Sequence, residues 1–412
     1  MYTKVERIQR DIEALSLCNA TPGEGLTRLT FTPEHKAAQD YLVSAMEAAG
    51  LTVRVDPVGT LVGRLEGREP ELPPVVVGSH IDSVPHGGNF DGPAGVVMGL
   101  EIARVLQERG IRPRRGVEFV AMVEEEGTRF GAGLFASRAM AGRLTLEELD
   151  THADKAGVTL RAAMDAFGLD PEKFREAVRP QGSIHGCVEL HIEQGKILES
   201  AGEDVGVVRT IVGIKELKVT ILGRADHAGA TPMNMRADAF LAACAVAQAA
   251  NRAAIEAGSG TVATVGKVDV YPGGFNIVPG KVEFTVDIRS PRADCLETVY
   301  HQVCEAVDAA CAAEEGLSAQ VELMMTVAPV DMDAGICDKL RAGAEKQGLK
   351  WREMISGAGH DAQVMAAIGP AALLFVPCKD GRSHCPEEWT DYDQLQKGVE
   401  LCCETVLALA EE

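Results

Sequence analysis

Four short runs in this chain are predominantly apolar, and each ends at a cluster of polar side chains. Val75 to Val77 lead to His80 and Asp82, and "VEFVAMV" (117–123) leads to Glu124, Glu125 and Glu126. "CVELHI" (187–192) ends on His191 with Glu193 beyond it, and "AALLFVP" (371–377) precedes a loop carrying His384. A strand apolar on nearly every residue, with no alternation, has no face for water, so it belongs in a sheet covered on both sides, which is the habit of parallel α/β sheets. Helical stretches lie between the runs; "DGPAGVVMGLEIARVLQERG" begins with Pro93 near its first turn and closes at Gly110. Open α/β sheets bind ligands beyond the carboxyl ends of their strands, so the four polar clusters are expected to converge there, with Asp91 joining them from the start of the following helix.

From about residue 213 the pattern changes to alternation. "ELKVTILG" places Leu217, Val219 and Ile221 on one face. An alanine-rich helix over about 233–257, two strands, a helix over about 292–315 and a last strand follow, in the order β-α-β-β-α-β of the split ferredoxin-like unit. The buried-strand style then resumes. The expected architecture is α/β: a largely parallel-sheet catalytic domain with covering helices, made of residues 1–212 and 328–412, plus an inserted ferredoxin-like α+β domain over 213–327. At 412 residues two domains are the default expectation. Residues 145–182 read as a helical, partly irregular connection.

A formal net charge of −21 argues against nucleic acid or an anionic membrane as a partner. No run approaches 18 apolar residues, and the segment "MYTKVERIQRDIEALS" lacks the apolar centre of a signal peptide. Eleven irregularly spaced cysteines, none in C-x-x-C, read as free thiols, so a cytoplasmic location is expected.

Imidazoles with carboxylates and no thiolate suit zinc, manganese, cobalt or nickel. The H-x-D spacing would let Asp82 accept the second ring N–H of His80, and Asp91 has two oxygens with which to bridge a pair of cations. On an extended backbone Glu124 and Glu126 share a face opposite Glu125, so spacing permits either Glu125 or Glu126 as a ligand. Val282, Phe284, Val286 and Ile288 line one face of their strand and put Arg289 on the other. The G-x-G-x-x-G turn of nucleotide-binding oxidoreductases is missing between strand and helix, and a G-x-S-x-G nucleophile motif is missing too.

The segments "GSHIDSVPHGGNFDG", "EEEGTRF", "ELHIEQGKILE", "GRADHAGATPM", "FNIVPGKVEFTVDIRSP", "SGAGHDA" and "GRSHCPEEW" together resemble the dinuclear metal amidohydrolases of the aminoacylase and carboxypeptidase superfamily. Within it they are similar to the hydantoinase/carbamoylase branch of N-carbamoyl-L-amino-acid hydrolases, allantoate amidohydrolases and β-ureidopropionases. The resemblance implies two divalent metal ions per subunit, one held by His80, Asp91 and His191 and the other by Asp91, Glu126 and His384. It implies Glu125 as general base, with Asp82 assisting, and attack by a hydroxide held between the metals on the ureido carbon of an N-carbamoyl-L-amino acid. In the inserted lid and dimerisation domain it implies that His227 polarises the scissile carbonyl. Asn276 and Arg289 would bind the substrate carboxylate, with Gln194 and the backbone at Gly357 and Gly359 completing the pocket. It further implies a homodimer in which His227, Asn276 and Arg289 can serve the neighbouring subunit. Allantoate amidohydrolase and then β-ureidopropionase are the alternative activities.

Overall fold

The computed structural model describes residues 2–412. Its strands are β1 (Thr52–Val55), β2 (Leu61–Leu65), β3 (Val75–His80), β4 (Val117–Met122), β5 (Gly186–Ile192), β6 (Val205–Ile211), β7 (Gly213–Leu222), β8 (Val262–Tyr271), β9 (Lys281–Ser290), β10 (Ser318–Val327), β11 (Val330–Asp331), β12 (Trp351–Ser356) and β13 (Ala371–Val376). The chain divides into two units. The first comprises the described residues up to 209, 332–354 and 360–412, and the second 210–331 with the loop 355–359.

In the first unit the apolar runs become the middle of a sheet ordered β1-β2-β4-β3-β5-β13-β6, and every residue of β3, β4, β5 and β13 is buried. The pairs β3–β4, β3–β5 and β5–β13 are parallel, while β1–β2, β2–β4 and β13–β6 are antiparallel. The apolar runs are thus the parallel core, and the strands with a polar face sit toward the edges, as burial on two faces against one requires. Helices Val5–Ser16, Pro93–Glu108 and Tyr392–Glu411 pack on one another over the sheet. Val76, Val120, Met122 and Cys187 point into a second apolar cluster with Phe135, Leu149, Leu160, Met164, Phe174 and Met365. The connection 145–182 supplies much of that cluster through helices Leu146–Thr151 and Leu160–Phe167.

The second unit is an antiparallel sheet ordered β10-β7-β9-β8 with helices Ala239–Ala257 and Ala293–Ala313. Leu217, Val219 and Ile221 of β7 and Val282, Phe284, Val286 and Ile288 of β9 meet Val246, Val299 and Val303 of the helices in one core. The strand order is that of a ferredoxin-like unit. The first helix begins later than the sequence suggests: residues 233–235 form a separate 3₁₀ turn, and the Asp238 side chain accepts the N–H groups of Phe240 and Leu241 to open the helix at Ala239. Among the described residues no helix is long and apolar enough to cross a membrane, and all eleven cysteines are free.

Candidate metal centre

Because β4, β3, β5 and β13 run parallel, their carboxyl ends lie along one edge of the sheet, and their polar tails meet there. His80 is the last residue of β3 and His191 the next to last of β5. Asp91 precedes helix Pro93–Glu108, separated from it by Gly92. Gly92 has φ +81, and a Cβ there would lie 2.4 Å from the His80 ring, so only glycine lets this turn close over the imidazole.

Two trios result, His80–Asp91–His191 and Asp91–Glu126–His384, each able to offer three ligand atoms within 4.8 Å of one another. Asp91 belongs to both and divides its oxygens between them. Oδ1 lies 3.1 Å from His191 Nε2 and 3.6 Å from His80 Nε2, and Oδ2 lies 3.3 Å from His384 Nε2. Glu126 Oε1 is 3.5 Å from the same His384 nitrogen. Ligand atoms about 2.0–2.1 Å from a tetrahedral cation stand about 3.3 Å apart, so these separations suit a shared ion.

The ring nitrogens are already assigned by their other contacts. His80 Nδ1 is 3.1 Å from the carbonyl of Asp82 and His191 Nδ1 is 2.9 Å from that of Ile192. A carbonyl only accepts, so each Nδ1 carries the proton and each Nε2 turns its lone pair toward Asp91. The expectation that the Asp82 carboxylate orients His80 is corrected here. That carboxylate stands 3.6 Å from Nδ1, beyond a hydrogen bond, and instead accepts the N–H groups of Glu125 and Glu126 at 3.2 Å each. The carbonyl of Asp82 holds the histidine while its side chain holds the glutamates.

Alternation along "EEE" also fails. The strand stops at Met122 and Glu124 takes a left-handed φ of +55, which turns the chain out of extended geometry. Glu124 is then buried, with Oε1 accepting the N–H of Phe130. Glu125 and Glu126 both reach the trios: Glu125 Oε2 is 3.7 Å from His80 Nε2, and Glu126 approaches His384. Glu193 turns away, its two oxygens accepting the N–H groups of Ile197 and Leu198.

The centre is short of positive charge. Burial raises the Glu126 carboxyl to about 7, helped by Asp91, and pushes Glu125 well above its ordinary value against the pull of His80. Burial would lower His80, but Glu125, Asp82 and Asp91 carry it well above 6.5. His384 is raised to about 9 by its contact with Asp91. His80 Nε2 and Glu126 Oε1 are buried without a hydrogen-bond partner, and each such atom costs about 1–3 kcal/mol. A cation in each trio would satisfy both atoms, and the nitrogen and oxygen donors, with no thiolate, fit zinc, manganese, cobalt or nickel.

A pH dependence of the metal-free protein follows. His384 is charged to a higher pH folded (about 9) than its ordinary 6.5, so its contribution to stability is present below 6.5 and lost as pH rises to about 9. His35, lowered to about 3 by burial, and His360, held well below 6.5 by burial and by His191, are neutral in both states above about pH 7 and drop out. His80 and His191, which burial would lower but neighbouring carboxylates raise, act in the same direction as His384. Chelator-treated protein is therefore expected to melt at a lower temperature at pH 9 than at pH 7, the share of His384 being modest because its side chain is 48% exposed. Adding the cation should reverse the loss, since a metal ion takes the neutral imidazole. Calorimetry with and without chelator checks this; a melting point that climbs over that interval contradicts it.

Several residues of the centre carry no sequence signal. Glu388, one of two adjacent glutamates in "CPEEW", is 3% exposed, and its Oε1 accepts the N–H groups of Phe90 (2.8 Å) and Asp91 (3.0 Å). Ser383 Oγ lies 2.6 Å from Asp91 Oδ2 and 2.8 Å from Glu388 Oε2. Behind the strands, Glu189 accepts the Ser79 hydroxyl (2.6 Å) and the N–H of Ala362 (2.7 Å). The His360 ring packs edge-on against that of His191 at 4.5 Å. Gln194, expected in the substrate pocket, donates its amide to Asp91 Oδ2 at 2.7 Å.

The remaining expected site residues lie in the second unit. His227 and Asn276 are exposed. His227 Nδ1 accepts the N–H groups of Gly229 and Ala230, which leaves Nε2 as its proton carrier. The carbonyl of Asn276 accepts the N–H of Ala228, joining the two loops. Arg289 is half-buried, and Asp287 occupies its side-on edge, with Nε–Oδ1 2.9 Å and Nη2–Oδ2 3.0 Å. Nη1 donates to the carbonyl of Gly357 at 2.7 Å. A guanidinium has five N–H groups, so one each on Nη1 and Nη2 remain to grip a second carboxylate end-on. The amide of Gly357 and the residue Gly359 sit in the same short loop.

Two imidazole-carboxylate trios sharing one aspartate at the mouth of a parallel sheet, with a further glutamate beside them, define a metal-dependent amidohydrolase. The chain belongs to the peptidase family M20/M25/M40, whose model matches residues 76–408. It is 46% identical over 406 residues to an N-carbamoyl-L-amino-acid amidohydrolase of Paenarthrobacter aurescens, covering 98% of both chains. It is 36% identical to an allantoate amidohydrolase of Bacillus subtilis, covering 97% of this chain and 96% of that one. The crystal structure of an amidase of the hydantoinase/carbamoylase family from Burkholderia multivorans superposes with a TM-score of 0.92 at 36% identity, covering 100% of this chain and 98% of the other.

Proposed function

We propose that this protein hydrolyses the ureido C–N bond of N-carbamoyl-L-amino acids, releasing the L-amino acid, carbon dioxide and ammonia. The shared Asp91, flanked by two trios with Glu125 alongside, is the observation that carries the reading, and the likeness to the Paenarthrobacter enzyme selects the substrate class. Two divalent cations, zinc, manganese, cobalt or nickel, are assigned to the trios. Held there, they would supply Lewis acidity and activate water for attack near neutral pH.

The chain's own residues do the rest. Glu125 accepts the proton of the attacking water and passes it to the departing nitrogen; burial, which raises its basicity, suits it to both transfers. Asp82 fixes Glu125 and Glu126 through their backbone N–H groups. His227, protonated on Nε2, is assigned to the carbonyl oxygen as negative charge develops there. The end-on edge of Arg289, with Asn276, is assigned to the substrate carboxylate, and the loop holding Gly357 and Gly359 to the pocket wall. Gln194 bears on the substrate through Asp91. The second unit is assigned as the lid and as the dimerisation surface of a homodimer, in which His227, Asn276 and Arg289 can serve the neighbouring subunit. Eleven free thiols support a reducing cytoplasmic setting.

Allantoate amidohydrolase is the second reading, favoured by the Bacillus relative and by a substrate that also carries a carboxylate and a ureido group. Rates on N-carbamoyl-L-methionine, allantoate and N-carbamoyl-β-alanine, compared as kcat/KM, test the assignment. The first substrate is expected to exceed the others by at least about tenfold, a difference of about 1.4 kcal/mol in transition-state binding. A preference for allantoate moves the chain to the second reading.

A further inference from the structure

The two halves of the centre are held very differently. His80 and His191 lie on strand ends, are 1% and 2% exposed in their side chains, and have their rings fixed by backbone carbonyls. His384 lies in the loop after β13, takes a left-handed φ of +58, and leaves its side chain 48% exposed. Neither burial nor a strand sets its place.

What does hold that half is a set of bonds between two loops. Asp91 arrives on the loop after β3 and His384 on the loop after β13, and β5 separates those strands in the sheet. Glu388 ties the loops together. One of its oxygens takes the N–H groups of Phe90 and Asp91, and the other faces the hydroxyl of Ser383, the residue before His384. A Cβ on Gly88 would lie 2.3 Å from the Glu388 carboxyl, so the first loop is pressed directly on this side chain. Ser383 meets Asp91 at Oδ2, which is the oxygen turned to His384; Oδ1, turned to His80 and His191, receives nothing from these groups.

We propose that Glu388, acting through Ser383, is a positioning residue that sets the affinity of the cation position served by Asp91 Oδ2, Glu126 and His384, and leaves the position served by His80 and His191 unaffected. This rests on the reading that both trios take a cation. The partners that orient metal ligands typically govern affinity by about 10–100-fold, and here the effect falls on one position because the one side-chain contact these groups make with the Asp91 carboxylate, from the Ser383 hydroxyl, is to Oδ2.

The test is a titration of chelator-treated protein with Co²⁺, following both heat and the visible absorption of the bound ion. The unaltered protein should take two equivalents. Glu388→Ala and Ser383→Ala should weaken one equivalent by about 10–100-fold and leave the other within about threefold. Glu388→Gln, which keeps an oxygen for the two N–H groups and can donate to Ser383, should recover most of the loss. Equal weakening of both equivalents, or no weakening in either alanine variant, overturns the proposal. Ser383→Ala removes a single oxygen atom and answers the question even if Glu388→Ala does not fold. A stoichiometry of one in the unaltered protein would instead remove the two-cation reading beneath it.

Discussion

Glu125→Gln is expected to reduce turnover by about 10²–10⁴-fold while the protein retains its full complement of cations. The amide has nearly the shape of the carboxylate, and the Glu125 backbone N–H that anchors the loop to Asp82 is untouched. Glu125 also lies outside both trios, so its loss leaves every assigned ligand in place. Steady-state kinetics read beside elemental analysis of the same sample decide the matter. Near-normal turnover in metal-loaded protein would remove Glu125 as the proton carrier, and a fall in metal content would make it a ligand instead.

Asp91→Ala should be more severe, because it acts on both positions at once. Each trio loses one of three donors, and the buried imidazoles of His80 and His191 lose the carboxylate that balances them. Asp91 is itself held well below the usual carboxylate range: burial opposes its ionisation, and His191, His384 and His80 overcome it. The variant is expected to bind neither cation at concentrations that load the unaltered protein, and to turn over no faster than Glu125→Gln. His384→Ala should lose one equivalent and keep the other. Retention of both cations by Asp91→Ala would show that they are not held by these trios.

The apolar runs were legible because burial on two faces leaves little room for alternation, and the topology then brought their polar ends together. The polar clusters could be located in the chain because each ends such a run or opens the next helix, whereas the choice of five ligands among them, Glu126 over Glu125 included, came from the family resemblance. The local geometry was not legible. Nothing in "EEE" announces that Glu124 turns left-handed and so brings both later glutamates inward. Nor does H-x-D reveal that the carbonyl of Asp82, and not its carboxylate, meets the imidazole. Glu388 is hidden for another reason. Two adjacent glutamates in a loop look like solvated charge, and the three bonds that bury the second come from segments about 300 residues away as well as nearby. The neighbourhood of Arg289 was half visible: the alternation of β9 placed it on the polar face, but the same face carries Asp287, which takes one edge of its fork.

The position of β13 has a consequence for synthesis. This strand, made about 160 residues after β6, is not added at a margin of the sheet; it slots between β5 and β6. Until it emerges from the ribosome, the facing edges of those two strands have no partner and the last imidazole has not arrived. A nascent chain not yet carrying β13 therefore exposes open strand edges prone to pairing with other chains, and the trio that includes His384 cannot assemble until that residue has been made.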